Sequence, residues 1–211
     1  MVATVELTTP EAQATGARSA LYRSLARCFR PPTPELYQEI KAGRIAEEVH
    51  QALAALPYSL EAAGDLAGAP SYEEMESAYM ALFEVGGEQG APCFLYEGEQ
   101  GGGRMKVLEE VLRFYHYFGL RLSQEKHERP DHLATELEFM HALTFQAASA
   151  LAGGQSVDSL RSAQRDFLRL HLADFASAVA SKSGTNGAPF YPALARCAAA
   201  FCARDLQSLA G

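Results

Sequence analysis

The sequence lacks the residue patterns that mark most metal-binding and catalytic proteins. Its 211 residues include four cysteines, no CxxC pair and no tryptophan. Structural zinc sites and iron–sulfur clusters need clustered thiolates, so the spread of these cysteines argues against both. The chain also has no GxxxxGK[ST] motif for phosphate and no local signature of a catalytic serine or cysteine. We therefore predict no cofactor, no metal and no enzymatic activity.

Long apolar runs are missing as well. The first forty residues contain no unbroken apolar stretch and no small-residue cleavage pattern, which argues against a secretory signal. Nothing further along approaches the roughly 18 to 20 apolar residues that cross a bilayer. We therefore expect a soluble, cytoplasmic protein without stable membrane insertion.

One long block contains no positive charge. Residues 45–103 carry eleven Asp and Glu side chains and no Lys or Arg, a balance of −11, whereas the whole chain has a net charge of −8. Such a block attracts a cationic partner and repels nucleic acid. The simpler explanation of this acidic block is a solvated face that aids solubility. Inferring a cationic partner therefore requires further evidence.

What the sequence does contain is helical periodicity along nearly its whole length. Apolar residues return every three or four positions, and no run of alternating β-branched residues is present. Spacing and start and stop signals predict helices over 17–29, 36–40, 46–56, 72–83, 108–122, 133–151, 157–182 and 190–208. Ser71, which acidic residues follow, is the expected N-cap of the fourth. We predict an all-α fold, a single helical bundle over 1–211.

Two stretches interrupt the helical pattern. Residues 85–103 contain seven glycines and cannot hold a helix. A connection of this length is uncommon and is usually functional or disordered, but its Phe94, Leu95 and Tyr96 indicate that part of it packs. The second stretch is short and highly charged, and we interpret 123–131 as a hinge.

One segment combines a helix start with an unusual set of polar residues: it begins at Glu128 and reads ERPDHLATELEFM. A helix start explains Pro130 at the first helical position and Asp131 on the positive end of the helix dipole. It does not explain His132, or Glu128 and Glu136 on either side. His132 and Glu136 lie four residues apart and are predicted to form a hydrogen-bonded pair. Three carboxylates and an imidazole can hold a guanidinium by charge-assisted hydrogen bonds.

A metal site is the alternative of a different class. Residues 47–50 and 138–141 both read Glu-x-x-His, the spacing of di-iron carboxylate bundles, and Glu76 and Glu110 are available as further ligands. The polar setting of the first pair and the abundance of glutamate favour ordinary surface residues instead. His171 falls on an apolar stripe and is predicted to be a hydrogen-bonded core histidine.

At the segment that begins at Glu128, the sequence resembles the TorD/DmsD/NarJ-type redox-enzyme maturation chaperones, whose hallmark is E-x-P-D-H-L-x-x-E-L-x-F-M. Every fixed position of that pattern is filled here. Supporting similarities lie at 22–29, 79–83, 167–172 and 190–195, in the order in which the family has them. The resemblance therefore spans most of the chain.

The resemblance implies an all-helical cytoplasmic chaperone. Such a protein binds the twin-arginine signal peptide of a molybdenum-cofactor enzyme and holds its catalytic subunit until the cofactor is inserted. By motif position, it implies peptide-site and hinge roles for Asp131 and His132, with Glu128, Pro130 and Glu136 beside them. Some family members bind guanine nucleotides weakly, and the chain is expected to be a monomer or a domain-swapped dimer.

The acidic block complements such a peptide, which has a basic end followed by an apolar stretch. We expect the groove to include Glu84, Phe94, Tyr96 and Glu97, from the glycine-rich stretch and its edge. The run PCFLYEGE stands where family members commonly have a Pro-Pro-Tyr-Glu-Ser-like run. This difference favours the branch that serves periplasmic enzymes of the type II dimethyl sulfoxide reductase class. A helical adaptor whose acidic block binds an unrelated basic surface is the blander alternative.

Overall fold

The computed structural model describes residues 6–60, 66, 71–85, 90–101, 103–122, 129–184 and 190–210. Within these ranges the chain forms helices and turns and no strand. The α-helices are α1 (Pro10–Cys28), α2 (Pro34–Lys41), α3 (Arg44–Ala54), α4 (Tyr72–Tyr79), α5 (Arg104–Tyr117), α6 (Leu133–Ala152), α7 (Asp158–Phe167), α8 (Ala173–Ser183) and α9 (Phe190–Leu209). Among them, none has both the length and the apolar composition needed to cross a membrane. The predicted all-α fold is confirmed.

Several helices begin at the signals that the sequence provides. Thr9 and Thr33 each accept a hydrogen bond from the backbone N–H three residues later, at 3.1 and 3.2 Å, and a proline follows each of them. Proline is favoured there because its missing N–H would have no partner inside the helix. Ser71 caps α4 in the same way at 3.1 Å, as predicted.

Helix α6 begins at Leu133, as the apolar spacing predicts, and not at Pro130. The expectation that Pro130 takes the first helical position is wrong, because Leu133 is the first helical residue and His132 is the N-cap. The His132 Nδ1 accepts the Ala134 N–H at 3.1 Å, a role usually filled by a hydroxyl or carboxylate oxygen. Pro130 and Asp131 lie in the preceding turn, since the backbone there pairs with the glycine-rich stretch instead of continuing the helix.

Helix α6 is central to the bundle. Helix α1 packs along its length, and α8 packs against α9. The apolar stripe predicted for the first helix is buried, with Leu21, Leu25 and Phe29 at 0% exposure, and α6 contributes Leu137 and Met140 at the same value. Burying one such side chain stabilises the fold by about 1.5 to 3 kcal/mol, so this contact is a main source of stability.

A buried polar network joins the first helix to the last. The Arg18 guanidinium contacts both carboxylate oxygens of Asp205 at 2.5 and 2.8 Å. The hydroxyls of Tyr22 and Tyr58 donate to the same carboxylate at 2.6 and 2.9 Å, and Arg18 also donates to Gln164 of α7 at 2.7 Å. Burial and the Asp205 charge raise the pKa of Tyr22, so its hydroxyl stays protonated. These hydrogen bonds offset the free-energy cost of burying the Arg18–Asp205 ion pair.

Two π-helical segments lie beside the glycine-rich stretch. Met80–Glu84 continues α4, and Leu168–Leu172 joins α7 to α8. The first holds the stretch directly, since the Cys93 N–H donates to the Leu82 carbonyl at 3.0 Å. The second carries His171. Single π-helical turns inside α-helices are frequent at functional sites, so this side of the bundle is where a site is expected.

Replacing Arg18 with methionine should destabilise the fold by about 3 to 5 kcal/mol, because it leaves the Asp205 carboxylate buried without its cation. The free energy of unfolding in urea, followed by circular dichroism, measures the loss. Arg161→Met is the matched control, since Arg161 pairs with Glu11 on the surface between α7 and α1 and such pairs contribute about 0 to 1 kcal/mol. Equal, small losses in both variants would contradict this role of the network.

Candidate functional site

The glycine-rich stretch folds over the start of α6. The Glu97 N–H donates to the Asp131 carbonyl at 2.9 Å, and the Leu133 N–H donates to the Leu95 carbonyl at the same distance. Between these bonds lies an isolated antiparallel bridge from Tyr96 to His132. The two segments that the sequence singles out are therefore in direct backbone contact.

Asp131 is the centre of this contact. Its side chain has 0% exposure. Its Oδ2 accepts the Gly98 N–H at 3.1 Å, and the Arg129 guanidinium donates to Oδ1 at 3.0 Å and to Oδ2 at 2.7 Å. A Cβ on Gly98 would lie 3.0 Å from Oδ2 and 3.1 Å from the Arg104 Cα, so a larger residue here would require Asp131 or Arg104 to shift by a few tenths of an ångström. The carboxylate is thus buried and accepts three hydrogen bonds, two of them from a guanidinium.

Arg129 is held by three groups at once. Besides Asp131, its Nη1 donates to Glu99 at 3.3 Å, and its guanidinium lies 4.1 Å above the centre of the Tyr96 ring. The Tyr96 ring in turn packs edge-on against His132 at 5.1 Å. Burial acts to lower the pKa of Arg129, but the hydrogen bond and charge of Asp131 outweigh it and raise that pKa. Two carboxylates and an aromatic face therefore form a guanidinium site.

A second cluster lies deeper, around Glu136. Its side chain has 0% exposure, and neither carboxyl oxygen accepts a hydrogen bond from any described residue. Burial raises the pKa of Glu136 well above its ordinary 4.5, and the charges of Glu97 and Asp131 raise it further. Burial and these neighbouring charges therefore favour the neutral form of Glu136.

His171 holds the other side of Glu97. Its Nδ1 lies 3.1 Å from both carboxylate oxygens of Glu97, so this nitrogen carries a proton. Its ring packs against Phe114 and Phe167, with centroids 5.7 and 5.3 Å apart, and its Nε2 has no hydrogen-bond partner within the described ranges. The prediction of a hydrogen-bonded core histidine is correct, but the sequence does not identify the partner.

The predicted groove residues lie at different depths. Glu84 is exposed, whereas Phe94 and Tyr96 are half-buried. Burial, followed by the charge of Glu84, raises the pKa of Tyr96, so Glu84 belongs to the electrostatic surroundings of the guanidinium site. A Cβ on Gly90 would lie 2.6 Å from the Phe94 ring, which shows how closely this ring packs on the backbone. Leu95 is a core residue at 1% exposure.

One prediction about the motif is wrong, and another concerns residues that the structure does not describe. The predicted pair between His132 and Glu136 does not form, because the His132 ring turns back to cap the helix while Glu136 points inward. Pro130 contributes its carbonyl, which accepts the Tyr115 hydroxyl at 2.9 Å. Glu128 and most of the predicted hinge fall outside the described residues.

A groove of about 680 Å³ lies beside this cluster, between α5 and α7. Its lining combines apolar side chains with polar and charged ones. The apolar ones are Phe114, Tyr117, Phe118, Ala163 and Leu170, and the polar and charged ones are Lys106, Glu110, Arg113, Ser159, Ser162 and His171. Tyr117 and Leu170 are unusually exposed for their type, at 81% and 54%. His171 belongs both to the cluster around Glu136 and to the groove, since its Nδ1 faces Glu97 while its ring lines the groove.

The residues proposed for a metal site have other partners. Glu138 forms an ion pair with Arg30 at 2.8 Å, and the His141 Nδ1 lies 2.8 Å from the Ser19 hydroxyl. This Glu-x-x-His pair therefore joins α6 to α1 through His141 and to the turn just after α1 through Glu138. In the part of the chain that the structure describes, no three His, Cys, Asp or Glu side chains are arranged to hold a metal ion.

Glu136→Gln should remove a pH-dependent loss of stability. The folded protein holds a proton on Glu136 that the unfolded chain releases, because the pKa of Glu136 is raised above 4.5. The stability linked to this proton is complete below that ordinary value and is lost as the pH rises through the raised pKa. Glutamine stays neutral, so the variant should gain stability relative to the parent as the pH rises, by at most about 1.4 kcal/mol per pH unit.

Urea unfolding between about pH 5 and about pH 8 measures this difference. Glu109→Gln is the matched control, because Glu109 is an exposed glutamate on α5 and its replacement should leave the pH profile unchanged. Parallel profiles for the parent and Glu136→Gln would show that Glu136 is ionised in the folded protein.

Comparisons with known proteins point to a single family. Residues 42–181 match the family described as nitrate reductase delta subunit. The selenate reductase assembly chaperone protein of Thauera selenatis is 45% identical over 105 residues, which is 49% of this chain and 54% of that protein. The chlorate reductase assembly chaperone protein of Ideonella dechloratans is 45% identical over 103 residues, 48% of this chain and 53% of that protein. The chain thus spans about half the length of these two relatives.

A third relative aligns over more of the chain. The perchlorate reductase assembly chaperone protein of Dechloromonas aromatica is 35% identical over 164 residues, 74% of this chain and 73% of that protein. These relatives are named as chaperones and not as enzymes, in agreement with the sequence prediction. A crystal structure of a candidate redox enzyme maturation protein from Archaeoglobus fulgidus superposes with a TM-score of 0.55 and 24% identity, covering 87% of this chain and 92% of that one. That likeness supports the fold.

The family match covers the two π-helical segments, the glycine-rich stretch and the motif that begins at Glu128. The resemblance seen in the sequence is confirmed by these matches, and the chain belongs to the nitrate reductase delta subunit family.

Proposed function

We propose that this protein is a cytoplasmic assembly chaperone. Its client is the catalytic subunit of a molybdenum-cofactor oxidoreductase. The chaperone binds the twin-arginine signal peptide of that subunit and holds the subunit for cofactor insertion before export. The names of the relatives, which assemble selenate, chlorate and perchlorate reductases, support a client of the same enzyme class.

The observation that supports peptide binding most directly is the guanidinium site at the start of α6. Asp131, Glu99 and the ring of Tyr96 already hold one arginine side chain. A carboxylate that bonds two guanidinium nitrogens in parallel favours arginine over lysine, because an ammonium group cannot reproduce this planar geometry. The site therefore has the chemistry needed to read an arginine.

Charge supports the same proposal. Glu84, Glu97 and Glu99 come from the block 45–103, which has no Lys or Arg. A basic peptide is drawn toward such a surface, and association through exposed charges weakens as salt screens them. The raised pKa of Glu136 favours its neutral form, which reduces repulsion with the neighbouring Glu97 and Asp131.

The groove between α5 and α7 supplies exposed apolar side chains within a mixed lining. A twin-arginine peptide continues into an apolar stretch, and exposed side chains such as Tyr117 and Leu170 are suited to cover it. His171 lies between the groove and the carboxylates. This placement allows one extended peptide to contact both features.

A synthetic twin-arginine signal peptide should bind the purified protein. Replacing both arginines with lysines should weaken binding by about tenfold or more, since bidentate hydrogen bonds are lost. Fluorescence anisotropy at increasing salt concentration measures both effects, and affinity should fall as salt rises. Glu99→Gln should reduce the salt dependence of binding, because it removes a surface carboxylate from the guanidinium site.

Glu109→Gln serves again as the control, because it removes the same charge from an exposed position of α5. Equal affinity for the arginine and lysine peptides would favour a general acidic adaptor. No binding to any such peptide, including that of a molybdoenzyme encoded nearby, would refute the proposal.

A further inference from the structure

The guanidinium site is filled by the protein's own Arg129. Three of its nitrogens donate to Asp131 and Glu99, its plane covers the Tyr96 ring, and only 27% of its side chain is exposed. Asp131 itself has no exposed surface. A second guanidinium therefore cannot reach Asp131 while Arg129 is in place.

The glycine-rich stretch does not depend on Arg129 for its attachment to α6. Two backbone hydrogen bonds, from Glu97 to Asp131 and from Leu133 to Leu95, join the two segments. The Gly98 N–H adds a third bond, to the Asp131 carboxylate. Arg129 can therefore leave its site without removing the bonds that shape it.

We propose that Arg129 is an internal competitor for the client peptide, and that an arginine of the peptide binds by displacing it from Asp131 and Glu99. This inference rests on the proposed function. The exchange replaces one guanidinium with another, so the buried Asp131 carboxylate keeps a cation throughout. Departure of Arg129 without a replacement leaves that carboxylate, among the described residues, with the Gly98 N–H alone, which is strongly unfavourable for a buried charge.

This competition sets two properties of the site. The affinity for a client arginine is reduced by the fraction of molecules in which Arg129 occupies Asp131. Ligands without a guanidinium are rejected, because they cannot compensate Asp131 once Arg129 has left. The site thereby selects for arginine at the cost of affinity.

Arg129→Leu tests the exchange. Leucine removes the competitor and keeps an apolar side chain near Tyr96, so the variant should bind the twin-arginine peptide at least about tenfold more tightly than the parent. The same variant should be less stable when no ligand is present. Anisotropy titrations and thermal unfolding of the full chain measure the two effects.

Chemical rescue identifies the vacated site. Millimolar N-ethylguanidinium carries the same guanidinium group as an arginine side chain. It should raise the melting temperature of Arg129→Leu and leave that of the parent unchanged. Should Arg129→Leu fail to fold, Arg129→Lys takes its place, because lysine keeps the charge but cannot bind both oxygens of Asp131 in parallel. It should bind the peptide more tightly than the parent does.

These outcomes distinguish the competitor role of Arg129 from the proposed chaperone function. Peptide binding by the parent that a folded Arg129→Leu or Arg129→Lys does not strengthen overturns the competitor role and leaves the proposed function intact. Absence of rescue by N-ethylguanidinium overturns the assignment of the guanidinium site. Absence of peptide binding by the parent and all variants overturns the proposed function itself.

Discussion

A buried carboxylate that must remain charged organises this side of the molecule. Asp131 has no contact with water, so its charge needs donors from the protein, and it finds them in the Gly98 N–H and the Arg129 guanidinium. The first comes from a glycine that lies close to the start of α6, and the second from an arginine just before the helix. A buried carboxylate without such donors would be strongly destabilising, so both contacts help to hold the glycine-rich stretch against the start of α6.

Three carboxyl groups close together cannot all be ionised in such surroundings, and each is stabilised differently. Asp131 pairs with a guanidinium, Glu136 keeps a proton, and Glu97 faces the His171 imidazole. In a typical protein core, buried carboxyl groups of this kind lower the stability of the fold. Their concentration between two π-helical segments is therefore better explained by function than by packing.

The helices were open to prediction because their signals are local. The stripe that includes Leu21 and Leu25, and the cap at Ser71, depend on residues within a few positions of one another, and both are found as expected. Two local predictions fail: Pro130 is not the first helical residue, and His132 does not pair with Glu136. Backbone hydrogen bonds to a distant stretch override the local preference there. Arg129 and Glu99, thirty residues apart, carry no mutual signal in the sequence.

The sequence by itself determined the all-α class, the order of most helices, the unbalanced acidic block and the segment that identifies the family. All of these follow from periodicity, composition or short-range order. Only the tertiary structure decided that Asp131 is buried, that Glu97 contacts His171, and that Arg129 fills the guanidinium site. Each of those facts depends on which side chains lose water together, and that is fixed only when distant segments pack against one another.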